Sequence, residues 1–330
     1  MKKIFLWLFL TFFLSNNSFA MNMVKKENYL RYDLTITGLP DYPPFSYYEL
    51  GGREKDIYFL HGAFLKPTKD VMEKYGFAIE NVRLKGVNNP KLDVKMMLLD
   101  VKSGNINLYV GAYANTRIFS GLEMIFPAAL SNPIHVITLP ETQDKINTTG
   151  DLKKLRGVVC KKEYFSDFVL RKMKELNVKF VNEPFEAYEM LFTGEADYLL
   201  GSLYYNRMMS SKQGIERYLG YSKKPLFKMP MFIAISKVTP MFSEYMRVFK
   251  DEFAKPEYAI AVKKEIIRIV EEEVRKNNGI VPPTFAKKVL QAPVAKIVKQ
   301  EEIEQTPEAD GYIVQKKEKA KTFDDVLDGI

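Results

Sequence analysis

Two arginines follow apolar, strand-like segments at equivalent points in the two halves of the chain. Ile106–Val110 leads through a polar loop to Thr116 and Arg117, and Gly194–Gly201 leads to Arg207 after a similar interval. A guanidinium offers a planar fork of N–H donors, stays charged at any working pH and pairs bidentately with a carboxylate. We therefore predict that Arg117 binds a small anion. The repetition of the pattern indicates two lobes that face one cleft.

Three aromatic residues in the first half of the chain are further candidates for a ligand site. Tyr42 and Phe45 lie in a loop rich in aromatic residues and proline, and Tyr113 lies shortly before Arg117. Aromatic side chains supply flat apolar walls at small entropic cost, so all three are candidates for a ligand site. Phe45 is equally consistent with the core, and Tyr113 with simple packing.

Alternating strand-like and helix-like segments provide the scaffold for these loops. The predicted strands are Leu34–Leu39, Phe77–Leu84, Ile106–Val110, Asn132–Leu139, Gly157–Cys160, Val178–Val181, Asp197–Leu200 and Met231–Ser236. The predicted helices are Asp56–Tyr75 (broken near Pro67), Lys91–Lys102, Tyr164–Leu176, Pro184–Thr193, a helix capped by Ser202, and Phe242–Lys276 with an interruption near Pro256. This alternation indicates an α/β fold with mostly parallel sheets.

The chain begins with the pattern of an export signal. Lys2 and Lys3 precede the apolar run Ile4–Leu14, and Ser18–Ala20 forms a small-x-small cleavage site. The apolar run is too short to span a bilayer comfortably. We expect cleavage after Ala20 and a periplasmic mature protein.

Composition narrows the possible functions further. The formal charge of +8 falls to about +6 without the leader, and its basic residues are spread among acids, which argues against nucleic-acid binding. A single cysteine, Cys160, excludes an intramolecular disulfide. The sequence contains no metal-ligand cluster, phosphate-binding loop or nucleophile–histidine pair, so we expect no metal and no cofactor.

Five segments together resemble the bacterial extracellular solute-binding proteins, family 3, which serve amino-acid ABC transporters. They are Tyr42–Tyr47, Leu99–Gly111, Thr116–Arg117 followed by Phe126–Pro127, Asp151–Leu152 with Gly157–Val158, and Ala187–Leu200. The resemblance covers roughly Leu34 to Lys276 and implies the two-lobed type 2 periplasmic-binding-protein fold. It also implies that Tyr42 stacks on the ligand.

The resemblance further implies a domain organisation and a mechanism. The expected units are a signal peptide (1–20), an N-terminal lead (21–33), lobe 1 (34–130 and 236–276), lobe 2 (131–235) and a charged, mobile tail (277–330). Hinge strands near Ser131–Ile137 and Lys228–Ile235 would let the lobes close on a small-molecule ligand. The expected partner is an inner-membrane ABC permease, and the expected state is a monomer.

The chain departs from the family at positions that bind an α-amino acid. Ser202, five residues after Asp197, stands where the family usually places an acid for the ligand's ammonium group. Lys161 and Lys162 replace a glycine–threonine pair near a helix start, where they would add to the attraction for anions. These changes tilt the cleft toward positive charge and predict a polar or anionic organic ligand that lacks an α-ammonium group. The first-lobe strand aspartate is Asn107, a structural change.

Two other functions stay open at this stage. One is a non-transport accessory or sensory protein of the periplasm. The other is a dehydratase-like enzyme on the same fold, which would need a carboxylic acid in the cleft as general acid. Asp197 fits a structural role and Glu163 is only a positional candidate, while His61 is predicted in a helix and His135 in a crossing strand. We therefore expect that the protein is not an enzyme.

Overall fold

The computed structural model describes residues 34–51, 57–77, 79–81, 83–85, 94–113, 119, 121–143, 146 and 149–286. Backbone contacts divide the chain at Pro293, and every described residue belongs to the unit before that division. The predicted signal peptide, the N-terminal lead and the tail beyond Ala286 lie outside the described residues.

The described elements alternate along most of the chain. The strands are β1 Leu34–Gly38, β2 Asp41–Tyr42, β3 Ser46–Leu50, β4 Ile57–His61, β5 Ile79–Asn81, β6 Arg83–Lys85, β7 Leu108–Tyr113, β8 Leu122–Thr138, β9 Gly157–Cys160, β10 Val178–Val181, β11 Tyr198–Ser202, β12 Gly220–Tyr221 and β13 Phe227–Ser236. The α-helices are α1 Leu65–Lys74, α2 Val94–Ser103, α3 Pro140–Gln143, α4 Thr149–Leu152, α5 Asp167–Met173, α6 Pro184–Phe192, α7 Leu203–Lys212, α8 Phe242–Phe253 and α9 Pro256–Lys276. Short 3-10 turns cover Lys161–Glu163, Glu216–Tyr218 and Thr284–Ala286.

One mixed sheet runs through the described part of the molecule. Its strand order is β10-β9-β11-β8-β13-β7-β1-β5, and β12 pairs with β8. β1 pairs in parallel with β5 and β7, and β9 pairs in parallel with β10 and β11. We call β1 to β7 with α1 and α2 the first lobe, and β9, β10 and β11 with α5, α6 and α7 the second lobe. The predicted α/β class is confirmed.

Two long antiparallel strands, β8 and β13, join the lobes. β13 pairs with β7 of the first lobe, and β8 pairs with β11 of the second. Between them Asn132 lies opposite Met229, and Pro133 lies opposite Lys228. The two segments predicted as hinges are therefore neighbours in the sheet, and their movement stays a prediction.

The predicted helix over Asp56–Tyr75 is wrong in its first part. Residues Ile57–His61 form β4 of a small antiparallel sheet with β2, β3 and β6, so His61 lies in a strand. The helix α1 begins only at Leu65, which places Pro67 in its first turn. A proline is tolerated there because the N–H groups of the first turn have no helical acceptor.

Helix α2 buries one apolar face. Met97, Leu98 and Val101 are buried, whereas Leu99 is 56% exposed. The buried residues pack under the first lobe as the apolar face of the helix. None of the described helices has both the length and the apolar character that a membrane span requires.

The segment after α9 packs against the second lobe. The Phe285 ring lies 5.2 Å from that of Phe185 and 5.7 Å from that of Phe192, and Ala286 is fully buried. The charged tail predicted from Asn277 onward therefore begins with a docked segment. An apolar contact of this kind was not visible in a stretch dominated by proline and charge.

Candidate functional site

The loop between β2 and β3 brings Tyr42 and Phe45 into the interior. The Phe45 backbone N–H donates to the Tyr42 carbonyl at 3.0 Å, which closes a tight turn, and both side chains are fully buried. Their ring centroids are 5.0 Å apart. Phe45 is thus part of the core, which was one of its two predicted roles. Its ring also lies 6.2 Å from that of Tyr204 in the second lobe.

Asn132 connects the two lobes through buried hydrogen bonds. Its side-chain nitrogen donates to the Tyr42 hydroxyl at 2.9 Å and to the Tyr113 hydroxyl at 3.3 Å. Its side-chain oxygen accepts from the Ser202 hydroxyl at 2.7 Å. Tyr42 and Tyr113 come from the first lobe, Asn132 from β8 and Ser202 from the second lobe. Sequence reasoning did not single out Asn132, although it lies at the start of the predicted crossing segment.

Burial changes the ionisation of the two tyrosines. Loss of water around the fully buried Tyr42 hydroxyl, and its proximity to Tyr113, raise its pKa well above the usual value. Burial likewise raises the pKa of Tyr113. Both hydroxyls are therefore neutral hydrogen-bonding groups at physiological pH.

Ser202 ends β11 and caps α7. Its hydroxyl oxygen accepts from the Tyr205 backbone N–H at 3.4 Å, which satisfies one of the free donors of the first turn. The predicted cap is confirmed. The same hydroxyl donates to Asn132, so this side chain serves both the helix and the connection between the lobes.

Glu163 lies beneath the same helix start. It follows β9 in a 3-10 turn and is fully buried. One carboxyl oxygen accepts from the Ser202 backbone N–H at 2.5 Å, and the other accepts from the Asn206 side-chain nitrogen at 2.8 Å. Burial raises the pKa of Glu163 to about 8, with these two bonds opposing the rise. Only its position after a strand end could have indicated this residue.

The neighbouring lysines point away from this buried group. Lys161 donates to the Asn182 side-chain oxygen at 3.1 Å. Lys162 forms ion pairs with Asp41 of the first lobe at 3.2 Å and with Glu183 of the second at 2.8 Å. The charge of Lys162 is thus matched by two acids at the edge of the cleft. Because these acids balance the charge of Lys162, the structure supports an anion site at the two lysines less strongly than the sequence did.

Aromatic side chains of the second lobe enclose Tyr42. The Tyr42 ring lies 5.6 Å from that of Tyr164 and 5.4 Å from that of Tyr205. Tyr164 adopts a left-handed backbone conformation, with φ of 50°. A residue with a side chain seldom adopts this conformation unless its surroundings hold it there, and such positions are common at functional sites. The described part of the cleft is therefore aromatic and uncharged apart from its edge.

The other predicted positions lie elsewhere or outside the described residues. Thr116 and Arg117 are outside them. Arg207 pairs with Glu216 of its own lobe at 3.1 Å, so no anion site at this mirrored position is supported. Asp197 accepts from the backbone and side chain of Arg156, which is the structural role expected of it. Asn107 accepts from the Thr35 N–H at 2.9 Å and ties β7 to β1.

Other features of the described residues give no second site. Between residues 34 and 286, the described His, Cys, Asp and Glu side chains form no group that could hold a metal ion. A groove of about 560 Å³ lies between the β3–β4 hairpin, α1, α7 and α9. Its Lys66 pairs with Asp70, and its Arg268 pairs with acids of α9. None of the predicted ligand residues lines this groove.

Comparisons with known proteins show the fold. No family model and no curated protein matches the chain. A putative ABC-transporter binding component from Wolinella succinogenes, complexed with lysine, is 16% identical over 73% of this chain and 97% of its own, with a TM-score of 0.54. The GluR0 ligand-binding core with L-glutamate is 13% identical over 74% and 99%, with a TM-score of 0.52.

A third structure is an amino-acid ABC transporter substrate-binding protein from Streptococcus pneumoniae bound to L-arginine. It is 14% identical over 72% of this chain and 94% of its own, with a TM-score of 0.51. Identities this low establish a shared architecture and nothing about the ligand. The chain has the two-lobed fold of these binding proteins, as its sequence motifs predicted.

Proposed function

We propose that this protein is a periplasmic solute-binding protein that captures a small polar or anionic organic ligand between its lobes for an ABC-type permease. The observation that carries this proposal is the set of hydrogen bonds around Asn132. Groups from the first lobe and from the second meet at one residue of a connecting strand. Hinge closure around a ligand would bring groups of the two lobes together beside the connecting strands, as they are here.

The charge of the cleft supports a ligand that lacks an α-ammonium group. Ser202 offers a hydroxyl at the helix start, and the buried Glu163 is mainly protonated at neutral pH because its pKa is about 8. The described residues of the network therefore provide no ionised acid to pair with an ammonium. The similar structures bind lysine, glutamate and arginine. The departures of this chain from the family pattern at Ser202, Lys161 and Lys162 predict a different class of ligand. In this proposal Arg117 and Thr116 receive the anionic group of the ligand.

The location and the partner follow from the sequence. The leader predicts export with cleavage after Ala20, and the absence of a spanning helix among the described residues is consistent with it. A permease in the inner membrane would recognise the closed form.

Thermal unfolding in the presence of a solute library tests the proposal. Residues 21–330 would be purified and screened against amino acids, organic acids, amides and sugars, because a ligand of the folded state raises Tm with its concentration. We expect polar or acidic solutes without an α-ammonium to raise it. Tight binding of an ordinary α-amino acid would refute the proposed ligand class. Failure of every solute would refute solute binding itself.

Two aspartate variants give a matched comparison. Ser202→Asp keeps a helix cap and adds a carboxylate at the cleft, so it should gain binding of L-lysine or L-arginine. Ser166→Asp adds the same charge at the cap of α5 and should not.

A non-transport accessory role is the second candidate. It is favoured because the polar atoms of Tyr42, Asn132 and Ser202 satisfy one another without any solute. In that case no solute would raise Tm, and the protein would instead co-purify with a periplasmic partner. A deletion that tests the tail should begin after Ala286, because the segment up to that residue is packed on the second lobe.

A further inference from the structure

The turn between β2 and β3 is built into the first lobe as a fixed unit. It comprises Tyr42–Phe45, and all four of these residues are buried. The Ala63 N–H donates to the Pro44 carbonyl at 2.8 Å, which ties the turn to the chain just after β4. Gly62 approaches so closely that an added Cβ would lie 2.2 Å from the Phe45 carbonyl oxygen. The turn is therefore held in place by its own lobe.

The second lobe receives this turn among three aromatic side chains. The Tyr42 ring lies 5.6 Å from the Tyr164 ring and 5.4 Å from the Tyr205 ring. The Phe45 ring lies 6.2 Å from the Tyr204 ring. Both side chains of the turn are fully buried, so the contact between the lobes removes them from water. Burial of apolar rings and their mutual contacts favour the closed arrangement.

Polar groups complete the contact around the turn. The Tyr42 hydroxyl accepts from the Asn132 amide, and the Asn132 side-chain oxygen accepts from the Ser202 hydroxyl. At the edge, Asp41 immediately before the turn pairs with Lys162 of the second lobe at 3.2 Å. Protein atoms thus satisfy these groups, and the turn fills the space between the lobes at these residues.

We propose that the Tyr42–Phe45 turn is a built-in plug that holds the two lobes closed without a solute. The closed form is then the resting state of the protein, and a solute that enters the cleft must displace the turn from the rings of the second lobe. The inference goes beyond the proposed function, because it concerns the protein alone. A partner that recognises the closed form would accordingly meet it in the absence of solute.

A distance measurement between the lobes tests the inference without a ligand. Glu73 on α1 and Glu189 on α6 are exposed, so Glu73→Cys and Glu189→Cys can carry spin labels. Cys160 does not compete for the label, because it is buried and burial raises the pKa of its thiol to about 12. Residues 21–330 would be unfolded in urea, dialysed and refolded, which removes any solute that co-purifies. Double electron–electron resonance should then give the separation seen in the structure.

A double variant tests whether the turn causes the closure. Tyr164→Ala and Tyr204→Ala remove two half-buried rings that face the turn, so the core of the second lobe is retained. Each lost ring contact should lower the ratio of closed to open molecules by roughly twofold to tenfold, and a longer distance should appear. Tyr218→Ala is the matched control, because this half-buried tyrosine packs on the second lobe and its ring contacts Arg217. It should keep the wild-type distance.

Two results would overturn the inference, and they bear differently on the proposed function. If the labelled protein is closed before refolding and open afterwards, a co-purified solute closes the lobes, so solute binding would stand and the plug would be wrong. If the folded double variant keeps the wild-type distance, the contacts of the turn do not hold the lobes together. If the double variant fails to fold, Tyr204→Ala alone decides by the same criterion.

Discussion

Glu163 is buried and has no cationic partner among the residues that the structure describes, so its ionisation should make stability depend on pH. Its pKa is about 8 in the folded protein and near 4.5 when exposed. Between these values the folded state holds a proton that the unfolded chain has lost, so stability falls as pH rises from about 4.5 to about 8. Glu163→Gln removes this dependence. Relative to wild type, the variant should gain roughly 3–5 kcal/mol over that interval.

Urea unfolding at several pH values from about 5 to about 8 measures this difference. The Gln side chain loses one acceptor, which lowers the stability of the variant by a similar amount at every pH, so only the slope is decisive. Glu175→Gln is the control, because Glu175 is largely exposed and pairs only with Lys172 at the surface. Parallel slopes for wild type and Glu163→Gln would contradict the buried, protonated carboxyl group.

Individual residues were predictable where a spacing or a local rule applied. Ser202 was identified from its distance to Asp197, and its capping role follows from its position before a helix. Glu163 was named only as a positional candidate for a general acid and Asn132 was not singled out, because their observed roles depend on tertiary neighbours more than thirty residues away. The lysines beside Glu163 drew attention through their charge. Their pairing with Asp41, Asn182 and Glu183 could not be read from sequence.

Helix α7 should lose more stability than α5 when its capping serine is removed. Ser202→Ala removes the cap and leaves Asn132 without a buried donor, whereas Ser166→Ala removes only a cap. A cap contributes about 0.5–2 kcal/mol, and an unsatisfied buried group costs a further 1–3 kcal/mol or so. We expect the free energy of unfolding to fall further for Ser202→Ala by about the second amount. Equal losses would mean that the Asn132 bond contributes nothing.

Elements whose ends are marked by clear sequence signals were predicted well. β9 and β10 have their predicted bounds, and Pro256 separates α8 from α9 as expected. Of β8, only Asn132–Leu139 was predicted as a strand, whereas the observed strand begins at Leu122 and includes Pro127 and Pro133, residues that are rare inside a sheet. The structure accommodates Pro127 between Ile125 and Leu130, where the register with β13 shifts. Such a shift depends on the partner strand and leaves no local signal.

At the scale of the whole molecule, the segment after α9 should stabilise the second lobe. Phe285→Ala removes ring contacts with Phe185 and Phe192, and we expect it to lower the free energy of unfolding by roughly 2 kcal/mol. Val281→Ala is the control in the same segment, because Val281 is 79% exposed and should change stability by less than about 0.5 kcal/mol. Urea unfolding compares the two variants. Similar losses would show that Phe285 does not dock in solution.

Asn132 should hold the two lobes together in the protein without ligand. Asn132→Ala removes one buried hydrogen bond from each of Tyr42, Tyr113 and Ser202, and the three losses together should cost about 3 kcal/mol or more.

The lobes should also separate more readily, because only the aromatic contacts of Tyr42 and Phe45 and the Lys162–Asp41 ion pair, among the contacts described above, would then resist opening. Small-angle X-ray scattering should show a larger radius of gyration for Asn132→Ala than for wild type. Asn182→Ala, which removes only a bond to Lys161 at the surface, should change neither stability nor scattering. Unchanged scattering with a large loss of stability would place the role of Asn132 in folding, and would leave closure to the aromatic residues and the ligand.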